Sequence, residues 1–199
     1  MDDLVIGDDG LARCGWGAGT PDYARYHDEE WGRVLHGDDA LFERMTLEAF
    51  QSGLSWLTIL RKRPAFRLAF DEFRIEAVAG YGEADVDRLL TDAGIVRNRA
   101  KIEAAIGNAR AAQAVPGGLS ALLWSFAPPP RPARPGSFAE VPALTEASTA
   151  MAKALKRQGF RFVGPTTGYA LMQATGMVDD HLAGCHVAPA AGPVMGLTS

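Results

Sequence analysis

The chain has 199 residues, 47% of them hydrophobic and 22% charged, enough apolar content for a buried core and too much for a disordered or collagen-like chain. Lys and Arg number 20 against 24 Asp and Glu, a net charge of −4 that excludes a general polyanion-coating protein but leaves room for a local basic patch. Two cysteines are too few for a disulfide scaffold. The acidic start MDDLVIGDDG lacks the basic n-region of a signal peptide, and no stretch reaches ~18 apolar residues. A cytoplasmic protein with no membrane segment is expected, in which Cys14 and Cys185 are thiols or metal ligands.

In chain order, residues 1–11 carry no motif and are expected to be flexible. Asp38 and Asp39 precede LFERMTLEAFQSG, where Leu41, Phe42, Met45 and Ala49 recur at helical spacing, so the pattern predicts a capped helix over about 39–52, ended by Gly53. LSWLTILRKR is a second helical run, and Pro64 is expected to open a third. Glu83 to Leu90 places Val86, Leu89 and Leu90 on one face. The pattern stops near Gly94 and restarts in RNRAKIEAAIGNARAAQ with Ile102, Ala105, Ile106 and Ala109 inward, giving helix, short hairpin, helix over about 84–110.

The segment APPPRPARPG, residues 127–136, holds five prolines and reads as a stiff connection, a wrapping loop or a domain boundary. Thr145 caps TEASTAMAKALKRQG, with Ala147, Met151, Ala154 and Leu155 as its apolar stripe and Gly159 at its end. FRFVG at 160–164 is the one short strand candidate, and Pro165 starts a helix running to Gly176. The tail over 189–199 is again expected to be flexible. The fold class predicted is all-α.

Four groups of residues could carry chemistry. Glu48 falls on the buried-side stripe with Leu41 and Met45, so it is either an edge residue paired with Arg44 or Arg61, or a carboxylate at the floor of a pocket suited to a cation. Trp16, Tyr23, Tyr26 and Trp31 crowd a glycine-rich stretch, with Trp56 eight residues after Glu48; they read as core, or as a flat cage that stacks on a planar cation. Cys14, His27, His181 and Cys185 make a Cys₂His₂ set that tetrahedral zinc would take, with His186 as an alternative to His181. TDAGIVRNRAKI, residues 91–102, is either a plain helical corner or a phosphate site made of a helix N-terminus with Arg97, Arg99 and Lys101.

RCGW, YHDEEWG, LEAFQSGLSW, DAGIVRNRAKI, GFRFVGPTTGY and DDHLAGC follow one another in an order that closely resembles the DNA-3-methyladenine glycosylase I family of the helix–hairpin–helix superfamily, over about residues 12–186. The resemblance implies a single helical glycosylase domain over 12–188, with structural Zn²⁺ on Cys14, His27, His181 and Cys185 joining the N- and C-terminal segments. It makes Glu48 the catalytic, base-recognising carboxylate. Trp16, Tyr26 and Trp56 become the base-stacking aromatics, and Tyr23 a pocket tyrosine. Leu54 is implied to fill the gap in the duplex, and Gly94, Ile95, Arg97 and Arg99 to grip the DNA backbone. The superfamily's usual Asp, and the Lys of its lyase members, have no obvious match after the hairpin. The resemblance therefore implies a monofunctional enzyme; a monomer acting on double-stranded DNA that contains alkylated bases is expected. The competing readings are a non-catalytic zinc-stapled DNA-binding module and a zinc hydrolase. Four protein ligands would leave the metal no open position for the latter.

Overall fold

The computed structural model of the protein describes residues 2–189, so the expected C-terminal tail lies outside the described residues beyond Pro189. The described residues at the N-terminal end include a short hairpin. Strand β1 (Leu4–Ile6) pairs antiparallel with β2 (Ala12–Cys14), Leu4 opposite Cys14, and Asp9 Oδ1 accepts from the Leu11 N–H inside the turn. Strands of three residues are too short for alternation to register in a sequence. The remaining regular elements among the described residues are helical, so the chain is mostly helical with one small hairpin. Among those residues no helix is long and apolar enough to cross a membrane.

The described residues group into two compact units. The described residues of the first lie within Met1–Val34, Pro128–Pro142 and Gln173–Ser199, three stretches far apart in sequence. Here α1 (Pro21–Glu29) starts at a proline, with Thr20 Oγ1 accepting from the Tyr23 N–H. Cys14, Leu182, Cys185 and Val187 form the buried centre, and Leu4, Trp16, Phe138 and Val141 pack on it. The proline-rich segment wraps this centre. Arg131 pairs with buried Asp180 at 2.7 Å, Arg134 with Asp179 at 2.9 Å, and the Pro135 carbonyl accepts from the Ala183 N–H.

The second unit comprises Leu35–Ala127 and Ala143–Met172. It holds α2 (Asp38–Gln51), α3 (Trp56–Ala69), α4 (Ile75–Ala79), α5 (Glu83–Thr91), α6 (Arg99–Gln113), α7 (Leu119–Trp124), α8 (Glu146–Arg157) and most of α9 (Pro165–Ala174). Asp38 and Asp39 do not cap α2. Gly37 stands at the cap, while Asp38 Oδ1 accepts from the Ser120 N–H and Asp39 Oδ1 from the Ile75 N–H, both at 2.8 Å.

Pro64 opens no new helix; α3 runs continuously through it. A proline removes one main-chain hydrogen bond, and on the exposed side where Pro64 sits a carbonyl so released can be hydrated. The strand expected at 160–164 is also absent. Asn108 donates to the Arg161 carbonyl at 3.0 Å and accepts from its N–H at 2.8 Å, taking the groups a ladder would use, and Phe162 has φ of 56°. The core of this unit is aromatic, with Phe50 and Phe66 rings 4.8 Å apart and Phe70 and Phe73 stacked at 5.5 Å.

Candidate functional site

In the second unit, the apolar stripe of α2 carries Leu41, Met45 and, on the same side, Glu48. Glu48 is only 7% exposed, and Arg44, one turn earlier, is also buried. Burial pushes the Glu48 carboxyl from 4.5 up to about 7, and the Arg44 charge draws it back only in part. The result is a carboxylate close to its titration point at neutral pH, able to face a cation as an anion. Past α2 the chain turns through Ser52, Gly53 and Leu54, and Ser55 caps α3 by accepting from the Thr58 N–H. Leu54 projects 42% exposed from this turn, and half-buried Trp56 is the first residue of α3.

Between α5 and α6 the turn over 92–98 is shaped by Asp92, whose Oδ1 accepts from the Gly94 N–H at 2.7 Å, and by Asn98, which caps α6. The basic patch expected here is only partly present. Arg97 is exposed, but Arg99 reaches Glu83 at 2.6 Å, Asp87 at 3.1 Å and Glu103 at 3.6 Å, so its charge is committed to carboxylates. Lys101 is 9% exposed and donates to the Phe50 carbonyl at 2.9 Å and the Ser52 carbonyl at 2.6 Å. Ile95 is buried too, which leaves only its main chain to meet a ligand.

In the first unit, Trp16 lies on the 3₁₀ turn Gly15–Ala18, with ring centroids 5.9 Å from Tyr23, 6.2 Å from Tyr26 and 4.9 Å from Trp31. Beside it are Cys14, His27, His181 and Cys185, all buried, with one ligand atom of each within 4.8 Å of the others. Cys185 Sγ is 3.5 Å from His27 Nε2 and 3.6 Å from His181 Nδ1, and Cys14 Sγ is 3.9 Å from His181 Nδ1. The Cys185 thiol is pushed far down, chiefly by its hydrogen bond with Cys14 and further by His181 and His27. The four could hold a metal ion. A Cβ at Gly17 would lie 2.7 Å from the His27 ring, so a side chain there would displace that ring.

Each histidine is fixed through its other nitrogen: His27 Nδ1 lies 2.7 Å from Asp28 Oδ1, and His181 Nε2 lies 3.1 Å from the Trp31 carbonyl. Asp28 also accepts from Arg13 and faces His186 Nε2 at 2.9 Å. His186 therefore flanks the cluster rather than replacing His181. Asp28 and Arg13 escaped the sequence reading, although Asp28 adjoins a suspected ligand and a metal-bound histidine ordinarily has such a partner.

The model of the methyladenine glycosylase family matches residues 16–188. The chain is 46% identical over 179 residues to DNA-3-methyladenine glycosylase 1 of Escherichia coli strain K12, covering 88% of this chain and 96% of that one. It superposes on a crystal structure of 3-methyladenine DNA glycosylase I with a TM-score of 0.85 at 44% identity, covering 89% of this chain and all of the other. A structure of the Staphylococcus aureus enzyme, described for its recognition of 3-methyladenine, matches with a TM-score of 0.84 at 37% identity, covering 90% of this chain and 97% of its own. With a match over most of its length in both sequence and fold, this chain belongs to the methyladenine glycosylase family.

Proposed function

We propose that this protein is a DNA glycosylase of base excision repair, which turns 3-methyladenine out of alkylated double-stranded DNA and hydrolyses its N-glycosidic bond. Its relatives carry that activity in their names, and the observation in this chain that supports it best is Glu48. The target atom is inaccessible in the stack, so the nucleotide must be extruded, at a cost of a few kcal/mol that a weakly paired lesion lowers. Methylation at N3 leaves the base positively charged. Its departure carries the electron pair of the C1′–N bond onto the base and neutralises it, while water adds at C1′ and loses a proton.

Glu48 as an anion recognises the cationic base and stabilises positive charge as the sugar becomes oxocarbenium-like. Trp16, Tyr26 and Trp56 stack on the base and Tyr23 hydrogen-bonds it. Normal adenine lacks the charge that favours both binding and departure, so it is a poor substrate. Leu54, exposed on its turn, fills the space left by the extruded nucleotide. The α5–α6 unit acts as a helix–hairpin–helix that holds the DNA backbone without reading sequence, through main-chain groups around Gly94 and Ile95 and through Arg97. Arg99, tied to Glu83, Asp87 and Glu103, shapes that unit rather than meeting phosphate. The product is an abasic site in an uncut strand, formed by a cytoplasmic monomer.

The Cys₂His₂ cluster suits structural zinc. Tetrahedral Zn²⁺ with bonds of about 2.3 Å to sulfur and 2.0–2.1 Å to nitrogen separates S and N ligands by ~3.6 Å, close to the 3.5, 3.6 and 3.9 Å found. When bound, the ion supplies folding energy, and four protein ligands leave no position for a reacting water. A DNA-binding module without catalysis would have no use for a buried carboxylate titrating near neutrality. Chromatographic identification of the base released from alkylated duplex DNA tests the activity.

A further inference from the structure

Two lysines in the second unit end on main-chain carbonyls, Lys101 buried and Lys62 half-buried. Lys101, on α6, ends 2.9 Å from the Phe50 carbonyl and 2.6 Å from the Ser52 carbonyl, where α2 gives way to the turn that carries Leu54. Lys62, on α3, ends 2.9 Å from the Ala93 carbonyl and 3.1 Å from the Gly94 carbonyl, on the turn between α5 and α6. The two contacts run in opposite directions between the same pieces of structure. The helix after the hairpin holds the Leu54 turn, and the helix after the Leu54 turn holds the hairpin.

Each geometry has a physical reason. The last carbonyls of a helix have no partner within it and carry the negative end of the helix dipole, so an ammonium group there is both donor and counter-charge. Gly53 has φ of 81°, a left-handed turn that swings the chain back so that the Ser52 carbonyl faces Lys101 while Leu54 faces outward. Burial lowers the Lys101 ammonium from its ordinary value, a cost that a lysine serving only as a surface charge would not incur. At the other end, a Cβ on Gly94 would lie 2.9 Å from the Ala65 side chain, so the hairpin turn rests directly on α3 one turn past Lys62.

We propose that Lys62 and Lys101 form a brace that fixes the hairpin turn over 92–98 against the Leu54 turn, making both lysines positioning residues for base extrusion. The inference rests on the roles given above to Leu54 and the hairpin. Grip on the backbone does work on the target nucleotide only if the apolar side chain entering the stack is held at a set distance from that grip. Two separate turns, each at the end of a helix, supply no such distance by themselves. Neither lysine contacts DNA in this scheme.

The test uses the full chain with Leu54→Ala, Lys101→Met, Lys101→Arg and Lys62→Met, and the double variant Lys101→Met/Leu54→Ala. Two readouts are taken: single-turnover release of 3-methyladenine from alkylated duplex DNA, and fluorescence of 2-aminopurine beside an abasic-site analogue, which reports unstacking without any bond being broken. Folding is followed by circular dichroism. Lys101→Met is expected to slow release about tenfold and to reduce the fluorescence gain, with undamaged-duplex affinity unchanged; Lys101→Arg should recover most of both. In the double variant the loss should be no more than about twofold beyond Leu54→Ala alone, because both changes act on one step. Should Lys101→Met not fold, Lys62→Met carries the same expectation from the hairpin side. Release within twofold of the unaltered protein in a folded lysine variant, or losses that multiply in the double variant, would overturn the brace. If the unaltered protein unstacks 2-aminopurine yet frees no base, the proposed activity fails while the brace stands.

Discussion

Arg44 and Glu48 lie one turn apart on α2, both buried, yet the Glu48 carboxyl stands at about 7 and not at 4.5. The desolvation of Glu48 outweighs the neighbouring guanidinium charge, and the sign of the pH dependence follows from that. A carboxyl raised in the folded state contributes stability that is fully present below about pH 4.5 and is lost as the pH rises through about 7. Glu48→Gln is therefore expected to stabilise the protein at pH 8 by roughly 3 kcal/mol at most, with a much smaller gain at pH 5. Denaturant unfolding at both pH values checks this, and an equal offset at the two contradicts it.

If the Cys₂His₂ cluster holds a metal, as proposed, its removal should cost stability before chemistry. Cys185→Ser takes away one of the four candidate ligands at the buried centre of the first unit, and chelation takes away the ion they would hold. A loss of several kcal/mol would lower Tm by about 10 °C or more in a chain of this size. Below the new Tm the folded fraction should still release base. Inactivity with the folded signal intact would point to a catalytic metal instead.

Asp28 accepts from His27 through the nitrogen opposite the one that faces Cys185. Asp28→Asn weakens the hold on that tautomer and should reduce metal affinity by about 10–100-fold. Competition with a chromophoric chelator measures it; an affinity equal to that of the unaltered protein would rule out the orienting role.

Arg97 and Arg99 should behave differently despite sitting two residues apart. Arg97→Ala is expected to weaken binding to any duplex and to lower the salt slope of the affinity by about 1. Arg99→Ala should leave that slope alone, because Glu83, Asp87 and Glu103 already surround its guanidinium. Titrations from about 50 to 200 mM salt distinguish the two, and identical slopes would show that the carboxylate cluster does not hold in solution.

Periodicity made the helices legible because their apolar faces are strong: Val86 and Leu89 on α5, and Ile102, Ala105 and Ile106 on α6, are all buried as spacing predicts. What spacing could not reveal were contacts that only tertiary structure makes. Asp38 and Asp39 look like caps and instead serve Ser120 and Ile75. Asp71, Glu72 and Phe73 form a left-handed turn with φ of 51–55°, a conformation costing about 1–2 kcal/mol per residue, and no residue type there announces it. Lys101 reads as one more charge on a basic helix, and its burial depends on carbonyls 49 and 51 residues away. The candidate site was legible at Cys14, His27, His181 and Cys185 because thiol and imidazole are chemically distinctive. Asp28 was not, because an aspartate after a histidine is unremarkable until its oxygen is seen on the ring.

The most direct test of the account is base release from alkylated duplex DNA by the unaltered protein beside Glu48→Gln, with bases and strand lengths resolved together. Free 3-methyladenine, intact strands bearing abasic sites, and a loss of about 100-fold or more in the variant are expected, with the unaltered protein slowing as the pH falls below about 7. Equal release by the two proteins would remove Glu48 from the chemistry, and duplex binding with no base released by either would contradict the glycosylase reading itself.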